Sequence, residues 1–158
     1  MTEPVIGSLA PDFTLPATGD TTVSLAKLRG NWVVLYFYPK DNTPGCTREG
    51  EDFRDLYAQF MELGAVVLGV SRDSQRVHNG FKAKYNLPFA LLTDHDEAVC
   101  RAYGVFKLKT MYGKQAEGIE RSTFLIDPQG VLRREWRKVK VPGHSAAVLS
   151  ALRALQGS

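Results

Sequence analysis

The apolar residues of this chain fall into short runs that alternate between strand and helix patterns. Residues 32–38 are apolar without interruption, and residues 65–70 form a second such run. Continuous hydrophobicity over this length is typical of a strand that is covered on both faces. Between the two runs, one apolar stripe with helical spacing predicts an amphipathic helix. Its members are Phe53, Leu56, Tyr57, Phe60 and Met61.

The segments on either side predict further strands and helices. Residues 13–15 and 23–25 alternate apolar and polar positions around a turn-rich segment, which predicts an N-terminal hairpin. The other predicted elements are a helix capped by Ser74 with Val77, Phe81 and Tyr85 on one face, a strand at 90–93, a helix opening at Asp94 or Asp96, a hairpin of 122–126 and 131–136, and a last helix from about Ser145.

This order of elements predicts the fold class. Strand and helix alternate through the first two-thirds of the chain, which indicates parallel βαβ units, and the late hairpin adds antiparallel strands. We therefore expect an α/β fold with a mixed β-sheet flanked by helices. No repeat, low-complexity tract or flexible linker divides the sequence, so residues 1–158 are predicted to form a single domain.

Composition and charge argue against several classes of function. Of the 158 residues, 44% are hydrophobic and 23% are charged, and the formal net charge is +3 without any long run of like charges. No nucleic-acid partner is therefore expected. No segment approaches the roughly 18 apolar residues that cross a bilayer, so no membrane association is expected. The N-terminal residues lack the pattern of a secretory signal, which makes a cytoplasmic location the expectation.

The two cysteines, Cys46 and Cys100, are the residues most able to carry chemistry, and both are predicted to be free thiols. Cys46 follows the first buried strand and a polar loop, in the first turn of the predicted helix. Ligands bind open α/β sheets beyond the carboxyl ends of strands, and the N-terminus of a helix stabilises negative charge. Cys46 is therefore the candidate nucleophile, and a packed structural cysteine is the alternative.

Two neighbours of Cys46 suit the reduction of a peroxide. Attack by a thiolate leaves negative charge on the departing oxygen, which requires hydrogen-bond donors. Thr43, three residues before Cys46, has a hydroxyl that is able to touch both the sulfur and a peroxide. Pro39 fixes the exit of the strand and shields the thiolate from water without offering a competing N–H group.

Pro39, Thr43 and Cys46 together match the P-x-x-x-T-x-x-C signature of the peroxiredoxins, a family that the chain resembles. The wider string YPKDNTPGCT is similar to the bacterioferritin-comigratory, or PrxQ-type, branch of that family. The similarity extends through residues 69–74 and 120–127 and so covers nearly the whole chain.

The resemblance implies a thioredoxin-like fold and a thiol-dependent peroxidase that acts on hydrogen peroxide and organic hydroperoxides. In the family a distant arginine contacts the reactive sulfur and the peroxide, and Arg121 stands at the matching position. No metal, haem or flavin cofactor is expected, because sulfur carries the electrons. The expected reductant is thioredoxin, glutaredoxin or a low-molecular-weight thiol, and the expected assembly is a monomer.

The sulfenic acid formed on Cys46 must be reduced by a second thiol, and the sequence leaves its source open. Relatives carry a resolving cysteine at positions that are occupied here by Glu51 or by residues 81–84, which include no cysteine. An intramolecular disulfide with Cys100 is one interpretation. We favour a one-cysteine cycle with an external thiol, in which Cys100 is packed and inert.

Other chemistry is weakly indicated. His78, His95 and His144 show no metal-ligand spacing, so no metal site is expected. The absence of a C-x-x-C motif argues against a disulfide exchanger. A redox sensor whose oxidised Cys46 alters a partner interaction, and a non-enzymatic thioredoxin-fold module, stand as alternatives to the enzyme.

Overall fold

The alternating patterns of the sequence correspond to alternating elements in the computed structural model, which describes residues 3–157. The strands are β1 (Thr14–Ala17), β2 (Thr21–Ser24), β3 (Trp32–Phe37), β4 (Ala65–Ser71), β5 (Ala90–Thr93), β6 (Phe106–Met111), β7 (Lys114–Ile119), β8 (Ser122–Ile126) and β9 (Leu132–Trp136). The helices are α1 (Pro44–Glu62), α2 (Gln75–Tyr85), α3 (Ala98–Ala102) and α4 (His144–Gln156), and a 3₁₀ turn covers Leu25–Leu28. Across the part of the chain described, no helix has the length and hydrophobicity to cross a membrane.

Seven strands form one mixed sheet in the order β2-β1-β5-β4-β3-β8-β9. The three central strands β3, β4 and β5 are parallel, and α1 and α2 are the crossovers between them. On one side β1 pairs antiparallel with β5, and on the other β8 pairs antiparallel with β3. The predicted α/β fold with a mixed sheet flanked by helices is confirmed, as are the two predicted hairpins.

The sheet separates two hydrophobic cores, because successive residues of a strand point to opposite faces. Leu35 and Phe37 of β3 belong to a core that also contains residues of α3, which we call the α3 core. Tyr36 and Tyr38 belong to a core that α1 and α4 cover, which we call the α1 core. The central strand is therefore buried on both faces, as its continuous hydrophobicity predicted.

Two residues of the predicted apolar helix faces are solvent-exposed, so their predicted burial was wrong. Met61 is 58% exposed and Val77 is 40% exposed. With 3.6 residues per turn, Met61 is rotated by about 80° from the buried Phe53, and Val77 by about 100° from the buried His78. Each therefore lies beside the buried face of its helix.

The antiparallel hairpin of β6 and β7 was not predicted from the sequence. Its residues do carry a signal, because Phe106 and Leu108 alternate with lysines. Tyr112 and Gly113 then form a turn in which both residues have a positive φ, of 53° and 78°. The hairpin pairs with itself outside the seven-stranded sheet and ends immediately before β8.

Helix α3 begins at Ala98, later than the predicted opening at Asp94 or Asp96. The buried carboxylate of Asp94 accepts hydrogen bonds from the N–H groups of Val99 and Cys100, at 3.2 and 2.7 Å. Asp94 therefore accepts hydrogen bonds from N–H groups in the first turn of α3 that have no acceptor within the helix, although it lies several residues before that turn.

Candidate active site

Cys46 lies where the central strand β3 gives way to α1. The helix begins at Pro44, whose fixed φ and missing N–H suit the first helical position. The first helical hydrogen bond runs from the Thr47 N–H to the Thr43 carbonyl, at 2.9 Å. Cys46 is therefore in the turn whose N–H groups have no helical acceptor, which favours negative charge on its sulfur. It is a free thiol and is only 2% exposed.

Arg121 reaches Cys46 from the neighbouring strand. β8 runs antiparallel to β3 with Ser122 opposite Phe37, so the residue before β8 lies beside the loop that leaves β3. The Arg121 Nη2 atom lies 3.4 Å from the Cys46 Sγ atom. A Cβ atom at Gly45 would lie only 3.1 Å from this Nη2, so the glycine gives the guanidinium room to approach.

Glu49, one helical turn after Cys46, holds the other arm of Arg121. Its Oε1 atom accepts a 2.6 Å hydrogen bond from Arg121 Nη1, and the residue is 1% exposed. Its Oε2 atom has no hydrogen-bond partner among the described residues. Burial raises the pKa of the Glu49 carboxyl from 4.5 to about 7, although the charge and hydrogen bond of Arg121 oppose that shift. Glu49 was not predicted from the sequence, although it follows Cys46 by three residues and precedes Phe53 by four, which places it on the apolar face of the predicted helix.

Thr43 and Pro39 lie in the loop before the helix. The Thr43 hydroxyl donates a 2.7 Å hydrogen bond to the Lys40 carbonyl and does not cap α1. Pro39 is half-buried directly after the strand. Of the residues predicted to form the site, the structure thus brings Cys46 and Arg121 into contact and places Thr43 and Pro39 in the adjoining loop.

Cys100 is separated from Cys46 by the sheet. Cys46 belongs to the α1 core, whereas Cys100 is fully buried in the α3 core on the opposite face. Burial raises the pKa of the Cys100 thiol, and the charge and hydrogen bond of Asp94 raise it further. Both features oppose the formation of a reactive thiolate at Cys100.

A cluster of potential metal ligands lies next to the same loop. Asp41, Asp73 and His78 bring their side-chain ligand atoms within 4.8 Å of one another, a grouping that the separated histidines of the sequence did not predict. Their ligand atoms already bond to one another or to neighbouring protein groups, because His78 pairs with Asp41 and Asp73 accepts from Ser71. His144 bonds instead to Thr123.

Comparisons with known proteins show the family of the chain. Residues 6–135 match the family model described as the AhpC/TSA family. The chain is 54% identical to peroxiredoxin Bcp of Xanthomonas campestris pv. campestris over 98% of both chains, and 54% identical to peroxiredoxin Bcp of Bacillus subtilis over 94% of both. A solved structure of the Xanthomonas campestris bacterioferritin comigratory protein, studied for its alkyl peroxide reduction activity, superposes with a TM-score of 0.89 at 51% identity and covers 95% of this chain and 98% of its own. The chain therefore belongs to the AhpC/TSA family, and within it to the bacterioferritin-comigratory, or PrxQ-type, peroxiredoxins.

Proposed function

We propose that the chain reduces hydrogen peroxide and organic hydroperoxides with Cys46 as the nucleophile, through a sulfenic acid that an external thiol reduces. As a peroxiredoxin the chain is a thiol peroxidase, and the proposal names its nucleophile, its cycle and its class of reductant. The observation that carries it is the 3.4 Å contact between the Arg121 guanidinium and the Cys46 sulfur in the first turn of α1.

The first step is the attack of the Cys46 thiolate on the terminal oxygen of the peroxide. The S–O bond forms as the O–O bond breaks, the sulfur is oxidised, and the departing oxygen takes up a proton and leaves as water or an alcohol. Arg121 places a fixed positive charge beside the sulfur before the reaction begins. Its N–H donors stabilise the thiolate and also the charge that develops on the departing oxygen, and burial strengthens both effects.

Thr43 and Pro39 shape the position of the peroxide. Because the Thr43 hydroxyl donates its proton to the Lys40 carbonyl, its lone pairs can accept the proton of a hydroperoxide. Pro39 borders the same loop without an N–H group that would compete for the peroxide oxygens.

Glu49 acts as a positioning residue for Arg121. Its carboxylate takes one arm of the guanidinium, and the other arm is then directed at the sulfur. A guanidinium held at two points keeps its donors aligned without reorganising during the reaction.

The separation of the two thiols supports a one-cysteine cycle. A disulfide needs Cα atoms within about 7 Å of each other. Cys46 and Cys100 lie in different cores on opposite faces of the sheet, so a bond between them would require a large rearrangement. An external thiol attacks the sulfenic sulfur, releases water and leaves a mixed disulfide, and a second thiol then releases the disulfide and restores Cys46.

The external reductant is thioredoxin, glutaredoxin or a low-molecular-weight thiol. The protein is expected to act as a monomer in the cytoplasm. The alkyl peroxide reduction activity of the Xanthomonas campestris relative supports organic hydroperoxides as substrates here. Sedimentation of the reduced protein tests whether it is a monomer. The rate at which each thiol removes the trappable sulfenic acid from oxidised Cys46 ranks the candidate reductants.

The central experiment treats the reduced protein with one equivalent of hydrogen peroxide and records its intact mass, with a sulfenic-acid trap in a parallel sample. The wild type and Cys100→Ser are expected to gain one oxygen that the trap locates at Cys46, and Cys46→Ser is expected to leave the peroxide unconsumed. A loss of two hydrogens mapped to Cys46 and Cys100 would refute the one-cysteine cycle. Unreacted peroxide with the wild type would refute Cys46 as the nucleophile.

A further inference from the structure

A buried network of polar side chains lies behind the loop that leads to Cys46. Asp41, in the middle of this loop, is 3% exposed, and His78 on α2 is completely buried. One carboxylate oxygen of Asp41 accepts a 2.6 Å hydrogen bond from the Tyr38 hydroxyl. The other oxygen lies 2.6 Å from the Nδ1 atom of His78.

The hydrogen-bond partners of His78 indicate where the protons of the His78–Asp41 pair lie. Its Nε2 atom lies 3.0 Å from the Leu92 carbonyl, which can only accept, so Nε2 carries a hydrogen. Its Nδ1 atom faces a carboxylate oxygen, so a second proton lies between His78 and Asp41. The two side chains therefore share one proton across a short, buried hydrogen bond.

The backbone of the loop is held by the same group of residues. The Asp41 N–H donates a 2.9 Å hydrogen bond to Asp73, which also accepts a 2.6 Å hydrogen bond from Ser71 at the end of β4. Asp41 is thus tied to Tyr38 directly after β3, to the connection after β4, and through His78 to α2 and β5. The next residue, Asn42, has a left-handed φ of 66°, a conformation that asparagine adopts more readily than most residues.

We propose that His78 is a positioning residue for the peroxide reaction of Cys46, because through Asp41 it holds the loop 39–43 against the sheet. This inference rests on the proposed function of Cys46. Pro39 and Thr43 lie on either side of Asp41, so a displaced Asp41 carries both with it. A shift of about 1 Å in a positioning group can slow a reaction by roughly 10²-fold.

Two substitutions at the same position separate this role from simple packing. The amide nitrogen of His78→Asn takes the place of Nδ1 and keeps the hydrogen bond to Asp41. The amide of His78→Gln takes the place of Nε2, near the Leu92 carbonyl, and leaves the Asp41 carboxylate without its partner. Tyr38→Phe removes a single donor to Asp41 and serves as the second test if His78→Gln does not fold. Asp94→Asn, a buried carboxylate on the opposite face of the sheet, is the control for lost stability alone.

The measurement compares two rates at Cys46 in each folded variant: oxidation by hydrogen peroxide in stopped flow, and alkylation by iodoacetamide. Peroxide must be aligned by the loop, whereas iodoacetamide needs only an accessible thiolate. We expect oxidation to slow by roughly 10²-fold in His78→Gln and by a smaller factor in Tyr38→Phe, with little change in alkylation. His78→Asn and Asp94→Asn should stay close to the wild type.

Three results would overturn the role of His78: a folded His78→Gln that is oxidised as fast as the wild type, an equal loss of both rates, or an equal loss in Asp94→Asn. Each of these leaves the proposed function intact, because the wild type still reacts. A wild type that does not react with peroxide would instead refute the proposed function, and this inference with it.

Discussion

Glu49 should contribute more to the stability of the folded protein at acidic than at neutral pH. Its buried carboxyl has a pKa of about 7, whereas in the unfolded chain the pKa returns to its ordinary value of 4.5. Between these two values the folded state keeps a proton that the unfolded state has lost, so the free energy of unfolding falls as the pH rises. At about 1.4 kcal/mol per pH unit, the full interval is worth about 3 kcal/mol.

His144 has the opposite effect over nearly the same range. Burial lowers the pKa of its imidazole from 6.5 to about 4, and the charge of Arg121 adds to the shift. As the pH falls, the imidazole is therefore protonated in the unfolded chain before it is protonated in the folded one. The free energy of unfolding decreases as the pH falls from 6.5 towards 4. The two contributions are similar in size, so the wild type should show little net dependence on pH between 4.5 and 6.5.

The substitution Glu49→Gln removes one of these contributions and reveals the other. Urea unfolding of the reduced protein, followed by circular dichroism at several pH values from 4.5 to 7.5, gives the free energy of unfolding for each variant. We expect the stability of Glu49→Gln relative to the wild type to rise by about 3 kcal/mol across this range. Glu51→Gln, a partly exposed carboxyl on the same helix, is the matched control and should show no such trend. A difference that stays within about 0.5 kcal/mol at every pH would refute the argument.

Three further predictions concern the neighbours of Cys46. Arg121→Lys should slow oxidation of Cys46 in stopped flow by roughly 10²-fold, because lysine cannot hold both Glu49 and the sulfur as a planar fork does, and a wild-type rate would contradict this. Gly45→Ala should slow oxidation, because its Cβ would lie only 3.1 Å from Arg121 Nη2 and displace the guanidinium from the sulfur; an unchanged rate would show that the guanidinium can move aside without cost to the reaction. Cys100→Ser should retain full turnover with an external thiol, and a turnover that stops after one equivalent of peroxide would restore Cys100 as the resolving cysteine.

The main features of the fold could be predicted because hydrophobic periodicity reports burial directly. The central strands are buried on both faces, and the sequence marks this with uninterrupted apolar residues at 32–38. The predictions from the sequence failed where a segment is only partly buried. Met61 and Val77 lie at the edges of their helical faces, and the hairpin of β6 and β7 pairs outside the main sheet, so its alternation produces no continuous core.

The site was predictable only as far as local chemistry extends. The positions of Cys46, Thr43 and Pro39 relative to the strand and the helix follow from a short segment. Glu49 lies on the apolar face of the predicted helix, but a charged residue there gives no indication of its partner, which is 72 residues away in the sequence. The location of Cys100 could not be inferred either, since the face of the sheet that a helix covers depends on the strand order, which the sequence does not state.

The antiparallel pairing of β8 with β3 explains why the site forms where it does. In an antiparallel pair the start of one strand lies beside the end of the other, so Arg121, before β8, reaches the loop after β3. A parallel neighbour would bring its first residues to the opposite edge of the sheet. The register matters equally: β8 pairs Leu125 with Val34, both in the α1 core, and Arg121 lies on the same face as Leu125 by alternation. A slip of one residue would turn Arg121 towards the α3 core and Cys100, so the contact with Cys46 depends on the same alternation that buries both faces of the sheet.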